Sequence, residues 1–256
     1  MLAKVSAGMP MQKYVISLAR TPERLERFRR VNAHVPDILH APGIDGSTLD
    51  LTQAAEQGFV DHHCQFTKGA IGSGMTHVSL WGATAKYGNP SHIFEDDAFL
   101  CHNFEEESDR VIRSLPDDWD IILWGNNSDT ILHYDLLPGI TDCVARFSEE
   151  KVRRAIETFR HMDVATLPFR LRQTFGICGY SVSPKGAVEL IKRCLPFTSP
   201  LVTYPSMGGK VLQASSVDHL MNQHYADLKA YTCMPPLVLT DNVQARSLNL
   251  ASGASS

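Results

Sequence analysis

Apolar residues along the chain follow two rhythms, short continuous runs and longer stripes at helical spacing. Tyr14-Val15-Ile16-Ser17-Leu18 is a short run with β-branched members, the pattern of a buried strand. Thr21-Pro22-Glu23 follows, a capping residue and then proline at the first helical position, with Leu25, Phe28 and Val31 on one side of the helix it opens. Pro36 to Ala41 returns as a second strand, and Asp45-Gly46 is a turn. A long helix is expected from Ile71 to Lys86, with Met75, Val78, Leu80, Trp81 and Ala85 apolar, ended by Gly88-Asn89-Pro90. Ser91-His92-Ile93-Phe94 then reads as a strand that stops at Glu95-Asp96-Asp97. Asn103 to Leu115 is a helix, Trp119 to Gly125 a buried strand, and Cys178 to Val182 another. Pro184 to Leu195 is a helix with Ala187, Val188, Leu190 and Ile191 inward; Ser215 to Tyr225 is helical and Ala230 to Leu239 extended. Between Asp129 and Arg172 only the helix from Ser148-Glu149-Glu150 to about Phe159 is legible. Strands alternating with helices imply an α/β fold around a mostly parallel sheet.

With 256 residues the chain can bury a sizeable core. Residues 1–12 are expected to be a flexible N-terminus, 13–245 one domain and 246–256 a disordered tail. A formal net charge of -4 argues against a nucleic-acid binder, which carries a basic stripe. No apolar run approaches the roughly 18 to 20 residues that span a bilayer, and the first residues lack a signal-peptide core. The six cysteines are scattered without a CxxC pair, as in a reduced cytoplasmic protein. His62-His63-Cys64 lacks the second ligand pair a structural zinc site needs.

The chemistry concentrates at Glu95-Asp96-Asp97. Three carboxylates directly after an apolar strand sit at its C-terminal end, where open α/β sheets bind ligands. They repel one another unless a cation lies between them, and Mg²⁺ or Mn²⁺ shared with a pyrophosphate meets that need. Asp97 would bind such a metal directly and Glu95, on the same side of the strand, would help it or hold the donor, while Asp96 points the other way. From residue type alone, an acidic turn opening a helix is an equal reading. Gly69, Gly72 and Gly74 stand before a helix with His77 one turn inside, so that backbone amides can approach an anionic or sugar ligand; close packing and a core histidine are the plainer alternatives. Asp218, at the start of a later helix, suits a general base or equally a helix cap.

Ordered blocks from about Lys13 to Asn242 resemble glycosyltransferase family 25, the lipooligosaccharide and collagen galactosyltransferase group. They are Val15 to Arg24, Ile44-Asp45-Gly46, Gly69 to Trp81, Ile93 to Asp97, Trp119 to Gly125, Gly179 to Ala187 and Asp218. Thr76 stands where the family usually has serine, and Asn126 to Arg172 matches no family pattern, which leaves acceptor recognition to that segment. The resemblance implies a GT-A-type, Rossmann-like fold, a UDP-sugar donor, Mn²⁺ (or Mg²⁺) and inversion at the anomeric carbon. The sugar would be galactose first and glucose second. The acceptor would be a lipid-linked lipopolysaccharide or lipooligosaccharide core saccharide, met by a cytoplasmic enzyme peripheral to the inner membrane. Ser17, Arg20 and Arg24 would line the nucleotide pocket, Asp45 would reach the base or ribose, and Gly72, Glu95 and Asp96 would complete the donor site. Glu95 and Asp97 would hold the metal, and Asp218, with His77, would orient or deprotonate the acceptor hydroxyl. Two rivals remain: a saccharide-binding scaffold that keeps the fold without catalysis, and a phosphohydrolase, which would need a second carboxylate or histidine cluster.

Overall fold

A computed structural model describes residues 11–128 and 131–241. The expectations for residues 1–10 and for the tail at 246–256 lie outside the described residues, as does Asn242. The chain opens with β1 (Gln12–Ser17), α1 (Pro22–Val31) and β2 (Ile38–Pro42), then α2 (Leu51–Glu56) and α3 (Lys68–Tyr87). β1 thus starts inside the segment expected to be a flexible terminus. There follow β3 (Ser91–Glu95), β4 (Ala98–Leu100), α4 (Phe104–Ser114), β5 (Ile121–Gly125), β6 (Ile131–Leu137) and β7 (Thr141–Arg146). Next come α5 (Glu149–Phe159), β8 (Leu167–Thr174), β9 (Gly179–Val182), α6 (Pro184–Cys194), β10 (Leu201–Tyr204) and β11 (Lys210–Gln213). α7 (Val217–Asn222), β12 (Ala230–Met234) and β13 (Val238–Thr240) follow.

Among the described residues, nine strands form one sheet in the order β2-β1-β3-β9-β5-β12-β8-β6-β7. β2, β1 and β3 pair in parallel, as do β5 and β12; β9 lies antiparallel between the two groups. β8, β6 and β7 extend the sheet in antiparallel fashion, and β6 and β7 come from the stretch the sequence left illegible. The sheet is therefore mixed, with its parallel part carrying the βα units read from the sequence.

Helices cover both faces. Apolar side chains of α2, α3, α6 and α7 pack with Ile93, Ile121 and Tyr180 into one core. Those of α1, α4 and α5 pack with Phe94, Ile122 and Trp124 into the other. The period-two alternation of β3, β5 and β9 sends successive residues to the two cores. α3 starts three residues before the expected boundary, capped by the Thr67 hydroxyl on Ala70 N–H at 3.1 Å, and closes on Gly88 at φ 75°. Its glycines therefore lie within the helix, not ahead of it. Thr21 and Ser148 precede helices without capping them through their side chains, and Val188, expected inward, is half-exposed.

Candidate active site

A cleft of about 1600 Å³ opens at the C-terminal ends of β1, β3 and β5. Ser17, Arg20, Arg24, Asp45, Glu95, Asp96, Asp97 and Asp218 all line it, so eight expected site residues converge there from segments far apart in sequence. The register explains the first meeting: Ile16 of β1 pairs with Glu95 of β3, which sets Ser17 beside the acidic triplet.

The triplet is not the start of a helix. β3 ends at Glu95, Asp96 and Asp97 form a turn, and the chain re-enters extended structure in β4. Asp96 is buried. It accepts the Ser17 hydroxyl at 2.7 Å and Arg24 Nε at 2.7 Å, tying the ends of β1, α1 and β3 together. Asp96 and Ser17, both expected on the donor, are thus engaged with each other. Asp97 faces the cleft with its side chain 29% exposed, 4.0 Å from Arg24. Its Oδ1 is buried and accepts no hydrogen bond from the described residues. Desolvation, then the charge of Glu95, push the Asp97 carboxyl up to about 7; Arg24 opposes the shift, and Asp96 and Asp241 add to it.

Asp241 is a residue the sequence reading missed. β4 and β13 pair antiparallel, Ala98 opposite Thr240, and this brings Asp241 to the triplet's turn. Asp241 lines the cleft and meets Arg27 at 2.5 Å, while the Arg27 guanidinium also lies over Phe99 at 4.9 Å. An acid one residue beyond the short apolar run Leu237-Val238-Leu239 was the available signal. Arg27 and Arg30 continue along α1 the arginine row begun by Arg20 and Arg24, and they too line the cleft.

Asp45 pairs with Arg20 Nε at 2.8 Å, and the Ser47 hydroxyl and amide hold its carboxyl below the usual range. The loop that carries it is seated on α3 by two devices. Thr76 Oγ1 donates to Gly72 O and accepts Ile44 N–H at 2.9 Å. Gly72 has no side chain because a Cβ there would stand 2.4 Å from Ile44 O. Gly72, expected at the donor, is buried and packs the helix against the loop. His77 is likewise not on the cleft wall. It is 1% exposed, its Nδ1 lies 2.8 Å from the Tyr180 hydroxyl, and its Nε2 lies 3.8 Å from Glu95 Oε1. Enclosed by the core, it lies behind the cleft wall, next to Glu95.

Asp218 stands in the first turn of α7, whose N-cap is Ser216. Its Oδ2 accepts Gly176 N–H at 2.9 Å and its Oδ1 accepts the Ser216 hydroxyl, so the carboxylate is fixed across the cleft from the β3 end by the loop after β8. Phe175 in that loop stacks on Tyr204 at 4.8 Å and lends the cleft an apolar wall.

Among the described residues, no group of three or more His, Cys, Asp and Glu side chains is arranged to hold a metal ion by itself. The oxygen donors at hand are Glu95 and the buried, unpartnered Asp97 Oδ1, with Asp241 beside them; this set fits a hard cation that shares its shell with a ligand's phosphates. All six cysteines are free, and no helix among the described residues is long and apolar enough to cross a membrane. A comparison with curated proteins gives no match. Residues 11–204, carrying β1, α3, the acidic triplet and Tyr180, match the family model of glycosyltransferase family 25 (LPS biosynthesis protein), and the chain belongs to that family.

Proposed function

We propose that this glycosyltransferase is inverting and divalent-metal-dependent, and moves a hexose from a UDP donor to a lipopolysaccharide or lipooligosaccharide core saccharide. Galactose is the first candidate and glucose the second. A GT-A arrangement goes with this reading, as do a cytoplasmic location and peripheral contact with the inner membrane that carries the acceptor. The observation that supports it most is the buried Asp97 Oδ1, which accepts no hydrogen bond from the described residues yet sits among carboxylates on the cleft wall. A buried carboxylate surrounded by like charge is stabilised by a cation, and Glu95 and Asp97 would hold Mn²⁺ or Mg²⁺ there. When bound, the cation neutralises charge that develops on the departing nucleoside diphosphate.

The chain's own groups account for the rest. Asp96 spends its charge on Ser17 and Arg24 and keeps the ends of β1 and α1 rigid under the donor. Arg20, held by Asp45, and Arg27, held by Asp241, present guanidinium groups suited to phosphate oxygens. Asp218 is the general base of this reading. Each of its oxygens accepts one hydrogen bond and keeps lone-pair capacity for the proton of the attacking acceptor hydroxyl.

The test is a panel of nucleotide sugars offered with Mn²⁺ and with EDTA to the wild type and to Asp97→Ala. Metal-dependent turnover of one donor, reduced about 100-fold or more in the variant, is the expected result. An Asp97→Ala protein that transfers and binds UDP like the wild type removes the metal assignment. A wild type that neither turns over a donor nor binds UDP favours the alternative, a saccharide-binding scaffold.

A further inference from the structure

Behind Glu95 lies a row of three buried side chains. Trp81 Nε1 donates to the Tyr180 hydroxyl at 2.9 Å, and that hydroxyl lies 2.8 Å from His77 Nδ1. An indole N–H can only donate, so the phenol oxygen accepts from Trp81 and its single proton is directed to His77 Nδ1. Burial pushes the Tyr180 phenol well above its ordinary range, which keeps that proton in place. With Nδ1 accepting, a neutral imidazole carries its hydrogen on Nε2, the nitrogen that faces Glu95 Oε1 at 3.8 Å. That separation exceeds a hydrogen bond, and Glu95, 34% exposed, would have to turn toward Nε2 to make one.

We propose that Tyr180 is a positioning residue, which by donating to His77 Nδ1 presents Nε2–H to Glu95 and orients that carboxylate toward the cation and the donor diphosphate. The proposal rests on the metal-and-diphosphate reading of the cleft. Outer partners that orient a ligand in this way commonly set metal affinity as strongly as they set local packing.

A second row on the opposite face of the sheet serves as a control. Ser181, the next residue of β9, accepts Trp124 Nε1 at 2.7 Å and lies 2.7 Å from His92 Nδ1. The order is the same, indole to hydroxyl to imidazole, but His92 ends among Phe94, Phe104 and Trp124 and pairs with no cleft carboxylate among the described residues. Breaking either row loosens a core; only the first should alter the site.

The experiment is Mn²⁺ binding followed by electron paramagnetic resonance in the presence of UDP, with thermal melts by circular dichroism, for the wild type, Tyr180→Phe and Ser181→Ala. Tyr180→Phe is expected to weaken Mn²⁺ binding about tenfold or more, whereas Ser181→Ala changes it less than about twofold despite a comparable loss of melting temperature. Equal affinity in Tyr180→Phe and the wild type, or equal losses in both variants, overturns the proposal. Should Tyr180→Phe not fold, Trp81→Phe removes the donor that fixes the direction of the hydroxyl. A several-fold weakening there supports the relay, and unchanged binding overturns it. A wild type that binds no Mn²⁺ with UDP present refutes the metal reading itself, a result distinct from a wild type that binds and a Tyr180→Phe protein that binds equally well.

Discussion

Single residues here do two kinds of work, and β9 shows both side by side. Tyr180 and Ser181 are neighbours on one strand, point to opposite cores, and each satisfies a tryptophan and a histidine that would otherwise be buried unpaired. The row through Tyr180 ends at the cleft; the row through Ser181 ends in aromatic packing, with a consequence for stability. Burial, with a smaller contribution from Lys13, lowers the His92 pKa to about 3, so the folded protein keeps this ring neutral. The unfolded chain takes up a proton near the ordinary value of about 6.5. Below that pH the unfolded state binds more protons, and His92 costs the fold stability as pH falls from about 6.5 toward 3. Between pH 7 and pH 5 the cost is about 2 kcal/mol. Urea denaturation at these two pH values should show His92→Gln losing about 2 kcal/mol less than the wild type. Equal losses in the two proteins would show that His92 does not carry this dependence.

At the scale of elements, α3 is the part that seats the loop bearing Asp45. Gly72 faces the backbone of Ile44 and Gly46 so closely that an added Cβ would lie 2.4 Å from Ile44 O and 2.8 Å from Gly46 N. Neither atom belongs to a flexible side chain, so the helix and the loop bearing Asp45 must separate. Gly72→Ala is expected to destabilise by about 1–3 kcal/mol. Gly82, on the same helix, has nothing within 4 Å of its missing Cβ. There the helix simply gains a better helix former, and Gly82→Ala should stabilise by about 0.5–1 kcal/mol. Urea midpoints moving in opposite directions are the expected observation; shifts of the same sign would contradict this account of the helix–loop contact.

The whole molecule makes one cleft from many separate pieces. The ends of β1 and β3, the row of α1, the loop after β8, the start of α7 and the residue after β13 all reach it. A ligand bridging them should therefore oppose global unfolding. UDP with Mn²⁺ at about 100 times its dissociation constant would add about 2.7 kcal/mol, roughly 5 °C or more in melting temperature for a domain of this size. EDTA, or Asp97→Ala, should remove most of the shift in a thermal melt. A UDP-induced shift indifferent to EDTA would place the diphosphate without a cation.

Much of the plan was legible because it is local. The continuous apolar runs of β1, β3 and β5, the proline opening α1 and the Gly88 stop of α3 are short-range signals. The acidic triplet follows its strand in sequence, so its position at a strand end needed no tertiary knowledge. The edge strand β7 and its partner β6 were not legible, because β7 is largely exposed and its apolar run, Cys143-Val144-Ala145, is short. Gly72 and His77 could be singled out by type, but whether they face ligand or protein depends on what packs against α3. Asp241 joins the site only through the pairing of β4 with β13, and Tyr180 reaches Glu95 only through His77. The α/β rhythm and the carboxylates at the end of β3 are encoded locally, since periodicity and turn chemistry act over a few residues. The order of the strands, the partners of each acid and the side chains behind them come from packing alone, since they follow from burial and pairing between segments distant along the chain.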